Sequence, residues 1–449
     1  MSNYEITTDV FSLPYKGDQC ILYAPTRGFA CLANKELVDF ILGLEGMDEP
    51  ALESRQKGIL DLLVEKGVLN GTEKTIPSGE SSQTIAPSKL TLFPTNRCNM
   101  RCRYCYASNS RGAETTMDRE IATSAIDYHL SVLKEQGRTV FLLEFHGGGE
   151  PFCAWHLVQG IVQYARRRCT EEGIELHVVA GTNGVLSKTK LSWVIKHFTF
   201  LNVSFEGLPH VQDFHRPMAN GGSSFGHVDE TIGFLDEHNF PYALRCTVSS
   251  YNEKLLAETI EFIASRYKTK LLFLEPMFAC GRFTLDERIS GPDMYAFADT
   301  FKSLETLSWE KGIRLEYSGA NLDRLSRNFC YVGTENFAVT ADGHLTNCWE
   351  VSSMSHPQAG TFIFGRMLRN GRIEVDREKW AFLRSLSVDS IDYCRDCFAK
   401  WHCAGDCAVK LGHDDILGAR GSSRCETNRE LILHRLIQML ERKDYYQRE

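Results

Sequence analysis

The segment TNRCNMRCRYCY places three thiols, Cys98, Cys102 and Cys105, in the spacing C-x3-C-x2-C. Thiols clustered this tightly in a chain without a secretory signal point to metal ligation or catalysis rather than to disulfides. A structural zinc site takes four protein ligands, and a [4Fe–4S] cluster normally takes four thiolates. Only three are local here. On a four-iron cluster, three thiolates leave one iron open to bind and reduce a small molecule. Completion by a distant His or Cys would give a zinc site instead.

A second group of cysteines follows. Cys330 is succeeded by Gly343 and by Cys348 in GHLTNC, then CRDCFAKWHCAGDC supplies Cys394, Cys397, Cys403 and Cys407, with Cys425 last. The pattern is C-x12-G-x4-C, then C-x2-C-x5-C-x3-C, then C. Taken alone, paired CxxC spacings also suit one or two structural zinc sites. Of the 16 cysteines, Cys20, Cys31, Cys153, Cys169 and Cys246 read as small core hydrophobes.

The elements that must position these thiols can be read from periodicity. Residues 10–34 alternate apolar runs with turn signals and predict three strands, followed by helices near 35–44 and 51–67, with Ile59, Leu62, Leu63 and Val68 on an apolar face. This suggests a winged-helix-like α+β module at 1–71. The Ser/Thr/Pro/Gly-rich stretch 72–89 reads as a linker. From 90 to 317, strands at 90–95, 139–145, 175–181, 200–207, 242–249 and 270–277 alternate with helices, among them Ala122/Ile126/Leu130/Leu133 and Leu256/Ile260/Ile263/Tyr267. Six successive βα units imply a parallel sheet with helical crossovers, fewer than the eight of a closed barrel, hence an α/β partial (β/α)6 barrel. In such folds chemistry sits at the C-terminal strand ends, and the first cysteine cluster follows the first strand there. Residues 318–449 read as loop-rich and cysteine-rich up to a helix at 428–443 with Leu433, Leu436, Ile437 and Leu440 on one face.

At 449 residues with 43% hydrophobic and 24% charged, the chain can bury a large core, and about three domains are expected. The net charge of −8 argues against a broad nucleic-acid surface. Neither a signal peptide nor an apolar run of membrane-spanning length is visible, so a cytoplasmic protein without membrane partner is expected.

The three-cysteine motif after the first strand of a βα array resembles the radical S-adenosylmethionine (SAM) superfamily, and the resemblance continues along the chain. Tyr104 matches an aromatic position near the adenine of SAM. HGGGEP at 146–151 follows the second strand as the family's GGEP motif does, so Gly148 and Gly149 would hold the SAM amino group with Glu150 nearby. Thr182, Asn183 and Gly184 follow the third strand as a TNG motif, and Ser204, Glu206 and Gly207 end the fourth, resembling SxDG with Glu in place of Asp. Arg216 and Arg245 stand where relatives place basic residues near the ribose or carboxylate of SAM. The resemblance implies reductive cleavage of SAM to a 5′-deoxyadenosyl radical, with electrons from a reductant such as flavodoxin or ferredoxin. It assigns Cys98, Cys102 and Cys105 to the catalytic cluster.

The second cysteine pattern resembles the SPASM domain of many radical SAM enzymes. That implies two auxiliary [4Fe–4S] clusters, three in all, with Cys394, Cys397, Cys403 and Cys425 on one and Cys330, Cys348 and Cys407 on the other. Some members, including sulfatase maturases, carry a further cysteine just before the first; SGANLDRLSRNF has none. The cluster at Cys330 is thus left with an open iron, which could take a substrate thiolate, or with Cys280 as fourth ligand. Glu350 lies where relatives place an acidic group. The N-terminal module resembles by pattern and position the RiPP recognition element, which binds the leader of a ribosomally made precursor peptide. Together these imply a peptide maturase, most similar to the thioether-forming sactipeptide and ranthipeptide type. Carbon–carbon crosslinking and formylglycine formation are the alternatives among enzymes, and a zinc-stabilised peptide-binding scaffold is the alternative outside them.

Overall fold

The computed structural model describes residues 4–44, 54–72, 76, 85, 87–107, 113–278, 281–282, 286–333, 336–410 and 423–442. The first strands, β1 (Phe11–Pro14), β2 (Gln19–Ala24) and β3 (Phe29–Asn34), form an antiparallel sheet in the order β1-β2-β3. Side chains alternate across a strand, and here both faces are covered. Leu22 and Ala24 pack with Val38, Ile41, Leu60 and Leu63 of the module's helices, while Ile21 and Tyr23 join the main core. The helices run Lys35–Leu42, capped by the Asn34 side chain on the Leu37 N–H at 2.9 Å, and Ser54–Glu65. Leu60 faces the module core, whereas Leu62 is 43% exposed. The apolar face of that helix is therefore rotated from the one expected at Leu62.

The module is docked, not loosely tethered. Trp401 Nε1 donates to Asp9 at 2.9 Å, Lys400 Nζ pairs with the same carboxylate at 2.9 Å, and the Tyr23 hydroxyl meets His402 Nε2. Within the expected linker, Ile76 is buried with Val388, Ile391, Cys394 and Trp401, and its carbonyl accepts from Arg327 Nε at 3.0 Å. The carbonyl of buried Ile85 accepts from the Tyr128 hydroxyl at 3.0 Å. Two isoleucines in a polar stretch thus anchor this connection between the N-terminal strands and β4. Residues 73–75, 77–84 and 86 lie outside the described residues.

Six parallel strands form the centre of the main sheet: β4 (Lys89–Leu92), β5 (Val140–Phe145), β6 (Glu175–Thr182), β7 (Phe200–Ser204), β8 (Tyr242–Val248) and β9 (Leu271–Pro276). They pair in sequence order, and the helices between them bury their apolar stripes in one continuous core. The sheet then continues past both expected edges. β10 (Arg314–Glu316) adds parallel to β9. On the other side β11 (Asn336–Val339) runs parallel to β4, followed by an antiparallel meander of β12 (His344–Thr346), β13 (Ile363–Met367) and β14 (Ile373–Val375). The cysteine-rich region expected to be mostly loop therefore contributes four strands to an eleven-stranded, mostly parallel sheet. The C-terminal helix, Ser423–Glu441, is fixed by buried Arg435, whose guanidinium reaches Glu305 at 2.8 Å, Glu316 at 3.5 Å and the Leu315 carbonyl at 2.8 Å.

Candidate active site

β4 delivers the chain into the loop that carries Cys98, Cys102 and Cys105, and β5 delivers the glycine-rich turn beside it. The two are hydrogen-bonded together: Gly149 N–H donates to the Thr95 carbonyl at 2.9 Å and Glu150 N–H to the Arg97 carbonyl at 2.8 Å. The approach requires glycine. A Cβ on Gly149 would lie 2.1 Å from the Arg97 carbonyl oxygen, and Gly148 adopts a φ of +68°.

Glu150 is 3% exposed and its carboxylate accepts from Thr182 Oγ1 at 2.9 Å, Asn183 N–H at 2.7 Å and Phe152 N–H at 3.2 Å. It brackets the ends of β5 and β6 together. Asn183 in turn donates through Nδ2 to Asn99 Oδ1 at 2.7 Å, 3.8 Å from Cys98 Sγ. The third strand end thereby holds the cysteine loop.

Glu206, after β7, is fully buried. It accepts from Arg216 Nε at 2.5 Å, from Thr247 N–H at 3.0 Å and from the Tyr104 hydroxyl, with His215 Nδ1 at 3.4 Å. Burial opposes its charge, but Arg216 and His215 outweigh that and hold the carboxyl down at about 2. Arg216 lies over the Tyr104 ring and its Nη1 is 4.0 Å from Cys102 Sγ. Ser204 at the end of β7 is in register with Arg245 on β8, whose half-exposed side chain lies 3.5 Å from Glu275. Of the expected SAM-site residues, Gly149, Glu150, Asn183, Glu206 and Arg216 thus contact the cysteine loop directly, while Ser204 and Arg245 are neighbours in register on β7 and β8. They divide in kind: Glu150, Glu206 and Arg216 are enclosed by protein partners, while Ser204 and Arg245 stay partly open.

The thiols lie in one another's electrostatic field. Burial pushes Cys98 up to about 12, with Cys102 and Glu150 adding. Burial likewise pushes Cys102 up to about 11, against the nearby Arg216. Among the described residues no three His, Cys, Asp or Glu side chains converge tightly enough for a single metal ion. A four-iron cluster instead holds its cysteines at separate corners, and the N–H groups of Asn183 and Arg216 beside two sulfurs suit ligating thiolates, whose hydrogen bonds tune such clusters.

Other polar groups on these strands pair inside the fold without having been singled out. Lys89 pairs with Glu144 at 3.1 Å, Thr91 donates to the same carboxylate at 2.9 Å, and His146 stacks on Trp349, over which Lys89 also lies. Glu275 accepts from the Ser318 hydroxyl at 2.8 Å. The available signal was a carboxylate inside an apolar strand run, in VFLLEF and LLFLEP. Buried charge of that kind needs a partner or a function.

The later cysteines fall into two neighbourhoods. Cys407 is pushed up to about 12 by burial, with Lys410 opposing and Glu350 and Cys330 adding, and Cys348 is raised by burial, Glu350 and Cys407. Cys403 is raised by burial and Asp406, with Cys425 and Cys397 also acting on it, and Asn428 Nδ2 lies 3.3 Å from its sulfur. Cys394 is buried nearby in sequence, its N–H bonded to the Ile391 carbonyl at 2.9 Å. A buried bidentate pair, Arg424 to Asp406 at 2.8 and 2.9 Å, fixes the loop carrying Cys403 and Cys407 to the helix carrying Cys425. Tyr106 links the two regions: burial raises its hydroxyl, with Glu350, Cys105 and Cys348 contributing. Cys280 lies outside the described residues. Among the described residues no helix is long and apolar enough to cross a membrane.

Comparison with known proteins agrees with this geometry. Residues 92–263 match the radical SAM superfamily model. An uncharacterized protein of Methanocaldococcus jannaschii is 31% identical over 175 residues, 39% of this chain and 57% of its own length. The serine-type anaerobic sulfatase-maturating enzyme of Klebsiella aerogenes is 24% identical over 179 residues, 39% of this chain and 44% of its own. These matches span about half the length of the curated relatives. In fold, the chain is similar to anSMEcpe with bound AdoMet (TM-score 0.62, 16% identity, 79% of this chain and 99% of that one). It is also similar to Streptococcus suis SuiB bound to precursor peptide SuiA (TM-score 0.54, 12% identity, 94% and 99%). The loop of Cys98, Cys102 and Cys105, the glycine turn after β5 and the strand ends that clasp them thus all lie within residues 92–263, the stretch that matches the radical SAM superfamily model.

Proposed function

We propose that the protein binds SAM and a [4Fe–4S] cluster on Cys98, Cys102 and Cys105, and uses them to modify a ribosomally made peptide oxidatively. The observation that carries the reading is the hydrogen-bonded union of the cysteine loop with the glycine turn, Gly149 to Thr95 and Glu150 to Arg97. When bound, SAM and the reduced cluster supply a 5′-deoxyadenosyl radical able to take hydrogen from an unactivated carbon. The chain's own residues bind, orient and enclose. Gly148 and Gly149 would admit the amino group of SAM to the backbone, Tyr104 would lie by its adenine, and Asn183, Ser204 and Arg245 would offer polar contacts. Glu150, Glu206 and Arg216 act by fixing the loops that carry those groups.

Two auxiliary clusters complete the reading, on Cys394, Cys397, Cys403 and Cys425 and on Cys330, Cys348 and Cys407, in a SPASM-type region spanning 318–449. The thiol neighbourhoods described above support that division for Cys397, Cys403 and Cys425 and for Cys330, Cys348 and Cys407; Cys394 is assigned by its spacing. The N-terminal sheet and helices would take the precursor's leader as an added strand, and the product would be a thioether from a Cys sulfur to carbon. The peptide-bound form of SuiB supports a peptide substrate and the absence of an eighth cysteine in SGANLDRLSRNF supports an open auxiliary iron. Formylglycine formation is the second reading, favoured by the match to the Klebsiella maturase.

The test is incubation of the anaerobically reconstituted protein with SAM, reductant and a cysteine-containing candidate precursor, followed by mass spectrometry. A loss of two hydrogens with one cysteine no longer alkylatable supports the thioether. A formylglycine mass replaces it with the second reading, and an unchanged peptide with no SAM cleavage removes both.

A further inference from the structure

The charge around the cysteine loop departs from that of the whole chain. The protein carries a net charge of −8, yet Arg101, Arg103, Arg282 and Arg288 line one open cavity of about 540 Å³, with Asp286 and Glu287 as its acidic members. Asp286 is neutralised twice, by Arg103 at 2.8 Å and by Arg288 at 2.7 and 2.8 Å. Arg101 is exposed and, among the described residues, is paired with no acidic side chain. The cavity also reaches the cysteine loop directly: Arg282 Nη1 donates to the Cys102 carbonyl at 2.6 Å and its N–H to the Cys105 carbonyl at 3.2 Å. None of the strand-end residues assigned to SAM lines it.

We propose that this cavity is the docking surface of an acidic one-electron carrier protein that reduces the cluster on Cys98, Cys102 and Cys105. The inference rests on the reading under Proposed function, which requires an electron, and adds where it enters. The carrier's flavin or iron–sulfur centre is oxidised by one electron and the cluster is reduced by one; no covalent bond forms or breaks in the step. A ring of guanidinium groups on an otherwise acidic protein steers an acidic partner to this one face and away from the rest. Docking there would seat the carrier against Arg282, which is hydrogen-bonded to the Cys102 and Cys105 carbonyls.

The test uses the reconstituted full chain, a low-pI flavodoxin as the carrier, and the double variant R101E/R288E beside R101K/R288K. Two quantities are read: the flavodoxin Kd by titration at about 50 mM and about 300 mM salt, and 5′-deoxyadenosine formation driven by flavodoxin or by dithionite. Charge reversal is expected to weaken flavodoxin binding by about tenfold or more and slow flavodoxin-driven turnover, with wild-type binding itself falling with salt. Dithionite-driven turnover stays unchanged, and the lysine variant behaves as wild type. A flavodoxin Kd within about twofold of wild type in the charge-reversed protein overturns the docking site. Equal loss of dithionite-driven turnover also overturns it, because the arginines would then act on the fold. Wild-type protein that fails to cleave SAM even with dithionite sinks the proposed function instead.

Discussion

Glu206 and Arg216 form a buried ion pair, 2.5 Å from Oε1 to Nε, with Glu206 bonded to the Tyr104 hydroxyl, Arg216 over the Tyr104 ring, and Cys102 alongside. Removing one member of such a pair strands the other charge in a low-dielectric interior, at a cost of about 3–5 kcal/mol. R216A should therefore lower the denaturant midpoint substantially, and R216K, which keeps the charge, should lose less. Urea titration of the three proteins checks this; equal stability of R216A and wild type would show that the pair is solvated and does not brace the loop.

The three donors on Glu150 give a second expectation. E150A leaves Thr182 Oγ1 and Asn183 N–H without their acceptor. Each unsatisfied buried group costs about 1–3 kcal/mol. Because Asn183 also orients Asn99 in the cysteine loop, iron retention should drop along with stability. Denaturation and iron analysis of E150A together check this, and a variant that unfolds earlier but holds wild-type iron would separate Glu150 from the cysteine loop.

His129 supplies a pH dependence remote from the site. It is fully buried against Phe141, both ring nitrogens lack a partner among the described residues, and burial, reinforced by Arg138, lowers it from 6.5 to about 3. Its folded pKa is depressed, so between these values the unfolded chain binds a proton that the folded one does not. Stability should fall as pH drops below 6.5, by up to about 1.4 kcal/mol per pH unit. H129L should flatten that slope while leaving stability above neutral pH little changed. Parallel pH profiles for the two proteins would contradict it.

The N-terminal sheet shares its Ile21 and Tyr23 face with the main core. Deleting residues 1–71 should therefore lower Tm and expose a dye-binding apolar face, rather than yield an intact domain merely blind to a leader. The milder change D9A, which removes the partners of Trp401 and Lys400, should cost about 1 kcal/mol. Thermal denaturation with a hydrophobic dye distinguishes this from a free-standing module, whose loss would leave Tm unchanged.

What the sequence made legible follows the strength of its local signals. The six central strands were readable because each is an apolar run bounded by turns, and both cysteine groups announced themselves by spacing. β12 and β14 are three residues each and carry no alternation long enough to detect. That Leu60 rather than Leu62 is buried depends on how the helix docks, which periodicity fixes only to within neighbouring positions. Glu206 and Arg216 were legible as residues of the site, but their mutual pairing comes from β7, β8 and the helix Pro209–His215 meeting in space. The docking of the module through Asp9 and Trp401 joins residues 392 apart, a contact no local pattern encodes.

The most direct measurement is iron and sulfide per chain after anaerobic reconstitution, with SAM cleavage followed under dithionite for wild type and C98A. Three four-iron clusters would give about twelve irons per chain, with 5′-deoxyadenosine formed by wild type and none by C98A. Zinc in place of iron, with no cleavage of SAM, would contradict the central claim that the loop of Cys98, Cys102 and Cys105 holds a redox-active cluster.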